Sequence, residues 1–63
     1  MSDQNRLIYL FESMEKGLLI KDILNYANSK DPIPFDDLYT IFEQTLDIEV
    51  VTAIMDCFMR HID

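Results

Sequence analysis

The segment from residue 48 to residue 62 carries apolar side chains on nearly every side of the helix that its spacing predicts. Five of them repeat every three or four residues, as in the seam of a packed helix: Ile48, Val51, Met55, Phe58 and Ile62. Others widen the apolar surface beyond that seam: Val50, Ala53, Ile54, Cys57 and Met59. A helix that is apolar on all sides is normally buried on all sides. Since three further short helices offer too little surface to cover it, we expect the seam to form a homodimer interface or to contact another protein.

The rest of the chain also shows helical spacing, and no segment alternates as a strand would. A first helix is indicated by one apolar stripe: Leu7, Leu10, Phe11 and Met14. Ser2 or Asp3 can cap that helix with a side-chain oxygen. Gly17, the only glycine, either ends it in the left-handed conformation or lies within one long bent helix.

A linker is predicted over residues 28–34, because each of its two prolines pushes the preceding residue out of helical geometry. Helical stripes lie on both sides of it: Ile20, Ile23, Leu24 and Ala27 before it, and Leu38, Ile41, Phe42 and Thr45 after it. Pro34 suits the first turn of the third helix, and Asp47 can cap the fourth. We therefore predict an all-α fold for residues 1–63, a single compact bundle of three to four short helices.

The chain is short and holds one cysteine, which limits what can stabilise it. A domain of 63 residues buries only about 60% of the surface that its unfolded chain exposes. Cys57 has no second cysteine to pair with, and Cys57 and His61 are too few ligands for a structural zinc site. A lone thiol suits a reducing compartment. No apolar run is long enough for a signal peptide or a membrane span, so we expect a cytoplasmic protein without a cofactor.

The net charge of −7 is concentrated in the second half of the chain. Residues 1–30 hold four acidic and four basic residues, whereas residues 31–63 hold eight acidic residues against Arg60 alone. Six acids form a predicted acidic face on the third and fourth helices: Asp36, Asp37, Glu43, Asp47, Glu49 and Asp56. Such a face favours a protein partner with a basic surface and disfavours direct nucleic-acid binding, because phosphates are bound by lysine and arginine.

No set of residues predicts catalysis or a metal site. His61 has no nucleophile or substrate pocket to act on, and we expect it to be a solvated terminal residue. Cys57 lies on an apolar helix and is expected in the core rather than at a reactive site. Asp31, Asp36 and Asp37 do not have the spacing of a calcium-binding loop. We therefore predict that the protein is not an enzyme.

The third helix permits two interpretations. Its large side chains have the spacing of the anchors that an amphipathic helix inserts into a partner's groove: Phe35, Leu38, Tyr39 and Phe42. The same spacing is typical of a helix that packs on the core, and we expect the core. Both interpretations hold together if the core is shared between subunits.

No motif in the chain identifies a family. The order of elements over residues 18–62, with a helix, a polar linker, a helix and a strongly apolar last helix, resembles that of the small helical dimeric regulators of enteric bacteria linked to biofilm formation and acid resistance. This resemblance implies a dimeric regulator.

From these features we predict a small acidic regulatory or inhibitor protein that acts by protein–protein binding, as a homodimer. Three alternatives come from other classes of function. The acidic face could imitate phosphates and antagonise a nucleic-acid-binding protein. The chain could be a DNA-binding transcriptional regulator that uses the bases of its first half: Arg6, Lys16, Lys21 and Lys30. It could also be a structural subunit of a larger complex.

Overall fold

The computed structural model describes residues 6–62 and shows four α-helices, with no strand among those residues. The helices are α1 (Arg6–Glu12), α2 (Lys16–Ala27), α3 (Phe35–Gln44) and α4 (Ile48–His61). The predicted all-α bundle is confirmed, α1 and α2 are separate helices, and Gly17 is the second residue of α2. The predicted caps Ser2 and Asp3 lie outside the described residues.

The turn between α1 and α2 is made by Met14 and not by Gly17. Met14 has a φ of 60°, in the left-handed region that non-glycine residues rarely adopt. Its N–H donates to Phe11 O at 3.2 Å, and the N–H of Glu15 donates to Leu10 O at 2.9 Å, the two bonds of a Schellman helix end. Gly17 therefore neither ends α1 nor lies in one long bent helix, the two interpretations that the sequence left open. Met14 also leaves the predicted apolar stripe and points into solvent, because the helix has already ended.

The linker lies where the prolines place it, over residues 28–34. The backbone N–H and the side-chain amide of Asn28 both donate to Leu24 O, at 3.1 and 3.0 Å, and close the end of α2. Pro34 lies one residue ahead of α3 as its N-cap, and its carbonyl accepts from the N–H of Leu38 at 3.0 Å. A proline needs no N–H partner at either position, so the difference from the predicted first-turn position is one residue.

Asp47 caps α4 as predicted. Its Oδ1 accepts from the backbone N–H of Glu49 at 2.9 Å, and so satisfies one of the free donors at the helix start. Its own N–H donates to Thr45 Oγ1 at 3.1 Å. These two bonds fix the three-residue connection between α3 and α4.

The core is formed by one side of each helix, and α2 packs most closely against α4. The buried apolar residues are Leu7, Leu10, Leu19, Ile23, Ala27, Ile33, Leu38, Ile41, Val50, Ala53, Ile54 and Cys57. On α4 the buried residues thus belong to the set that widens the seam, of which Met59 alone stays exposed, and not to the seam itself. α2 and α3 pack against one side of α4, and its opposite side remains in solvent. Among residues 6–62, no helix is long and apolar enough to cross a membrane.

Candidate protein-interaction surface

One side of α4 is apolar and open to solvent. Four of its large side chains keep between 48% and 75% of their surface exposed: Ile48, Met55, Met59 and Ile62. They are separated by three, four or seven residues, so they lie along one side of the helix. We call these four residues the α4 ridge. The ridge points away from the side of α4 that packs on α2.

Two aromatic residues of α3 extend this surface. The ring of Phe35 stacks on Phe58 with centroids 5.7 Å apart and 23° between the planes, and the ring of Tyr39 lies 5.5 Å from Phe58 at 41°. Phe35 and Tyr39 remain exposed, and we call them the aromatic shelf. Phe58 lies one helical turn from both Met55 and Ile62. The ridge and the shelf are therefore joined through Phe58 into one apolar face.

The predicted seam is divided between two environments. Its members Ile48, Met55 and Ile62 belong to the ridge, whereas Val51 and Phe58 are half-buried. Met59 lies outside the seam by spacing and yet is about as exposed as Ile48. The three-and-four-residue spacing of the seam did not include Met59. The helical spacing of the third helix led us to expect the residues of the aromatic shelf in the core. The homodimer on the seam stays a prediction.

Three of the six acids predicted as one acidic face are paired with bases of the same chain. The Lys16 ammonium lies 3.0 Å from Asp47 Oδ2 and 2.8 Å from Glu49 Oε1. The hydrogen bonds to Glu49 and Asp47 raise the pKa of Lys16, and the bond from Lys16 lowers the pKa of Asp47. Asp56 Oδ2 accepts from Arg60 Nε at 3.1 Å, one helical turn away. The charge along this edge of α4 is therefore largely compensated within the chain.

The other three acids lie on α3, and within residues 6–62 none of them has a salt-bridge partner: Asp36, Asp37 and Glu43. Asp36 and Asp37 occupy the first turn, where the positive end of the helix dipole stabilises carboxylates. Asp37 is half-buried, and desolvation together with the nearby charge of Asp36 raises the pKa of its carboxyl. Asp36 follows Phe35 directly, and Glu43 lies one turn beyond Tyr39. These two exposed acids therefore border the aromatic shelf.

Cys57 and His61 both serve the packing of the bundle. Cys57 is fully buried, which confirms the prediction, and burial together with the charge of Asp56 raises the pKa of its thiol. A thiol with a raised pKa is a poor nucleophile. His61 is half-buried, and its Nε2 donates to Tyr26 O at 2.8 Å near the end of α2, so the expectation of a solvated histidine is wrong. Within residues 6–62, no group of three or more potential metal ligands is present.

The basic residues of the first half are partly engaged within the chain. Arg6 forms an ion pair with Asp22, and Lys16 binds the two acids at the start of α4. Phosphate groups would have to compete with these carboxylates, which weighs against a DNA-binding interface. The ion pairs of Lys16 with Asp47 and Glu49 also interrupt the row of acids that an imitation of nucleic acid would need.

No protein-family model matches this chain, and no curated protein or solved structure is significantly similar to it. The apolar face and its charged border are the features of the molecule that bear on its function.

Proposed function

We propose that this chain is a small regulatory or inhibitor protein that acts by binding another protein. The contact surface is the apolar face formed by the α4 ridge and the aromatic shelf. The partner is a protein with a basic surface beside an apolar one. The observation that supports this proposal is the continuity of exposed apolar side chains across α3 and α4, next to acids that no base of the described chain neutralises.

The extent of the apolar face argues for a partner. Isolated apolar residues on a surface are ordinary, but contiguous patches beyond about 300–600 Å² usually mark interaction sites. Here six large side chains are exposed in one connected region: Phe35, Tyr39, Ile48, Met55, Met59 and Ile62. A standard interface removes about 800 Å² from each partner, which is about one sixth of the 4760 Å² accessible surface of this chain.

The border of the face argues for a basic partner. Asp36 and Glu43 are exposed beside the aromatic shelf and have no salt bridge within residues 6–62, whereas Lys16 and Arg60 offset two of the three negative charges of Asp47, Glu49 and Asp56. Unpaired acids at the rim of an interface accelerate association with a positively charged surface and select against a negative one. The net charge of −7 adds a long-range attraction in the same direction.

The same border makes a second copy a poorer occupant of the shelf. In a twofold-symmetric contact, each residue meets the same patch of the other subunit. A contact that includes the shelf would bring the unpaired acids of two α3 helices together, and like charges across an interface are unfavourable. We therefore assign the combined face to a basic target rather than to self-association.

The test is capture of the target from an extract of the native cell with the tagged chain, followed by mass spectrometry after washes at low and high salt. We expect one stoichiometric partner with a basic surface that is lost as salt rises, because the rim contacts are screened. The variant I48D/M59D should lose this partner at both salt concentrations, since it places charges on the ridge.

Two charge variants that are matched in net charge distinguish the contribution of the rim acids to binding from the contribution of the total charge. D36K/E43K reverses two acids beside the shelf, and E12K/D31K makes the same change in net charge at exposed positions on α1 and in the linker. We expect D36K/E43K to weaken binding by about tenfold or more and E12K/D31K to have a much smaller effect. Equal effects of the two variants, or binding that is insensitive to salt, would contradict a role for the α3 acids in selecting the target.

A further inference from the structure

A second apolar feature lies at the end of the bundle where α4 begins. A cavity of about 320 Å³ opens between the α1–α2 turn and the connection between α3 and α4. Its floor is formed by the core residues Leu10, Leu19 and Val50, and Phe11 and Met14 form a wall. The volume suffices for an apolar side chain, since an apolar cavity of about 150 Å³ already accepts benzene.

The two most exposed large apolar side chains of residues 6–62 lie beside this cavity. Leu46 is 98% exposed and Met14 is 88% exposed. Met14 belongs to the wall, and the residues on either side of Leu46, Thr45 and Asp47, line the edge. No sequence pattern pointed to Leu46, because it belongs to neither apolar stripe.

Leu46 is held outside the bundle by its neighbours. The Thr45 N–H donates to Ile41 O at 2.8 Å, and Thr45 Oγ1 accepts from the N–H of Asp47. Asp47 is fixed in turn as the cap of α4 and by the ammonium of Lys16. The connection is therefore ordered on both sides of Leu46 while the leucine itself contacts almost nothing.

We propose that two copies of this chain form a homodimer about a twofold axis, with Leu46 of each copy inserted into the cavity of the other. A twofold axis requires a self-complementary surface, and here the projecting side chain and the cavity that fits it are adjacent on the same surface. The contact buries the leucine and covers the exposed side chain of Met14. Neither Leu46 nor any residue that lines the cavity belongs to the apolar face, so the proposal does not rest on the proposed function.

The distribution of charge also favours binding of a second copy at this end of the bundle over binding at the aromatic shelf. The cavity edge contains Lys16, which offsets one of the two negative charges of Asp47 and Glu49, whereas the border of the shelf has no compensating base among the described residues. The association is driven by apolar burial between chains of equal net charge. It therefore persists or strengthens as salt rises, in contrast to the salt-sensitive binding of a basic target.

The test is sedimentation equilibrium of the full chain and of single variants over a range of concentrations. We expect the wild type to dimerise and L46D to raise the dimer dissociation constant by at least about 30-fold, since the aspartate carboxylate would enter an apolar cavity without a partner. M14N should also weaken the dimer, and asparagine tolerates the left-handed backbone at this position. Circular dichroism should show an intact fold for both variants, because Leu46 and Met14 lie outside the core.

The control is I48D, a change of the same kind at an exposed apolar residue on the ridge. It should leave the dimer intact while it weakens binding of the basic target. A dimer that survives L46D and is lost in I48D would overturn the proposal and place self-association on the ridge. A wild-type chain that remains monomeric over the whole concentration range would also overturn it, and the cavity would then be open to a small apolar ligand.

Discussion

The two sides of α4 should respond very differently to the same substitution. Ile54 has no exposed surface, whereas Ile48 is 75% exposed on the ridge of the same helix. Truncation of a buried isoleucine to alanine removes its transfer free energy and leaves a cavity, which together amount to about 2–5 kcal/mol. Truncation at an exposed position changes stability by about 0.5 kcal/mol or less.

These values are large relative to the stability of a chain of this length. At about 0.05–0.15 kcal/mol per residue, 63 residues give a free energy of unfolding of roughly 3–9 kcal/mol. We expect Ile54→Ala to remove about 3 kcal/mol and to lower Tm by about 12–24 °C, since each kcal/mol corresponds to about 4–8 °C in a small domain. Ile48→Ala should leave Tm nearly unchanged.

The assay is urea and thermal unfolding followed by circular dichroism, at two protein concentrations. If α4 buries only one side within the chain, Ile48→Ala is neutral at both concentrations. A loss of more than 1.5 kcal/mol for Ile48→Ala would refute this assignment of the two sides. A loss that appears only at the higher concentration would show that a second copy covers the ridge.

Three further predictions test local features. At pH 7 the wild type should be the most stable, then Asp47→Asn, then Asp47→Ala, because asparagine keeps the helix cap but loses the ion pair with Lys16. The pKa of Asp47 is lowered in the folded state. The advantage of the wild type over Asp47→Asn in free energy of unfolding, measured by urea titration, should therefore vanish as pH falls through that pKa. Gly17→Ala should stabilise the chain by about 0.5–1 kcal/mol, since Gly17 is inside α2, its φ is not positive and no atom lies within 4 Å of an added Cβ. Met14→Gly should also stabilise the chain, because glycine relieves the strain of the left-handed backbone. A loss of stability in either variant, measured on the monomer, would contradict the helix end described above. The Cys57 thiol should react with an aromatic disulfide reagent only as fast as the chain opens, because it is fully buried with a raised pKa, and rapid reaction of the native chain would place it at the surface.

The sequence predicts those features that depend on neighbouring residues. The cap could be predicted because an aspartate directly before an apolar helical stripe can accept a free backbone N–H at the helix start, as Asp47 does for α4. The linker follows from the fixed φ of two prolines. The sequence left open whether α1 ends at Gly17, because a left-handed methionine leaves no mark in a sequence. Only the hydrogen bonds from the residues around Met14 reveal the turn.

Which side of α4 faces the core could not be predicted, because both sides are apolar. The bundle buries the side with Ala53 and Cys57, where small side chains allow α2 to approach, and leaves the larger side chains of the ridge outside. The charge pattern was similarly incomplete. Lys16 lies more than thirty residues from Glu49 in sequence, so only the fold shows that it pairs with Glu49 and Asp47 and that no base of residues 6–62 pairs with the acids of α3.

The most direct test of the central claim is a titration of isotope-labelled protein with an amphipathic helical peptide that carries leucine on one side and lysine on the other, followed by amide chemical shifts. We expect saturable shifts at the α4 ridge and the aromatic shelf, which weaken with salt and are absent with a peptide in which glutamate replaces lysine. Equal binding of the two peptides, or shifts confined to the cavity beside Leu46, would contradict the assignment of this face to a basic partner.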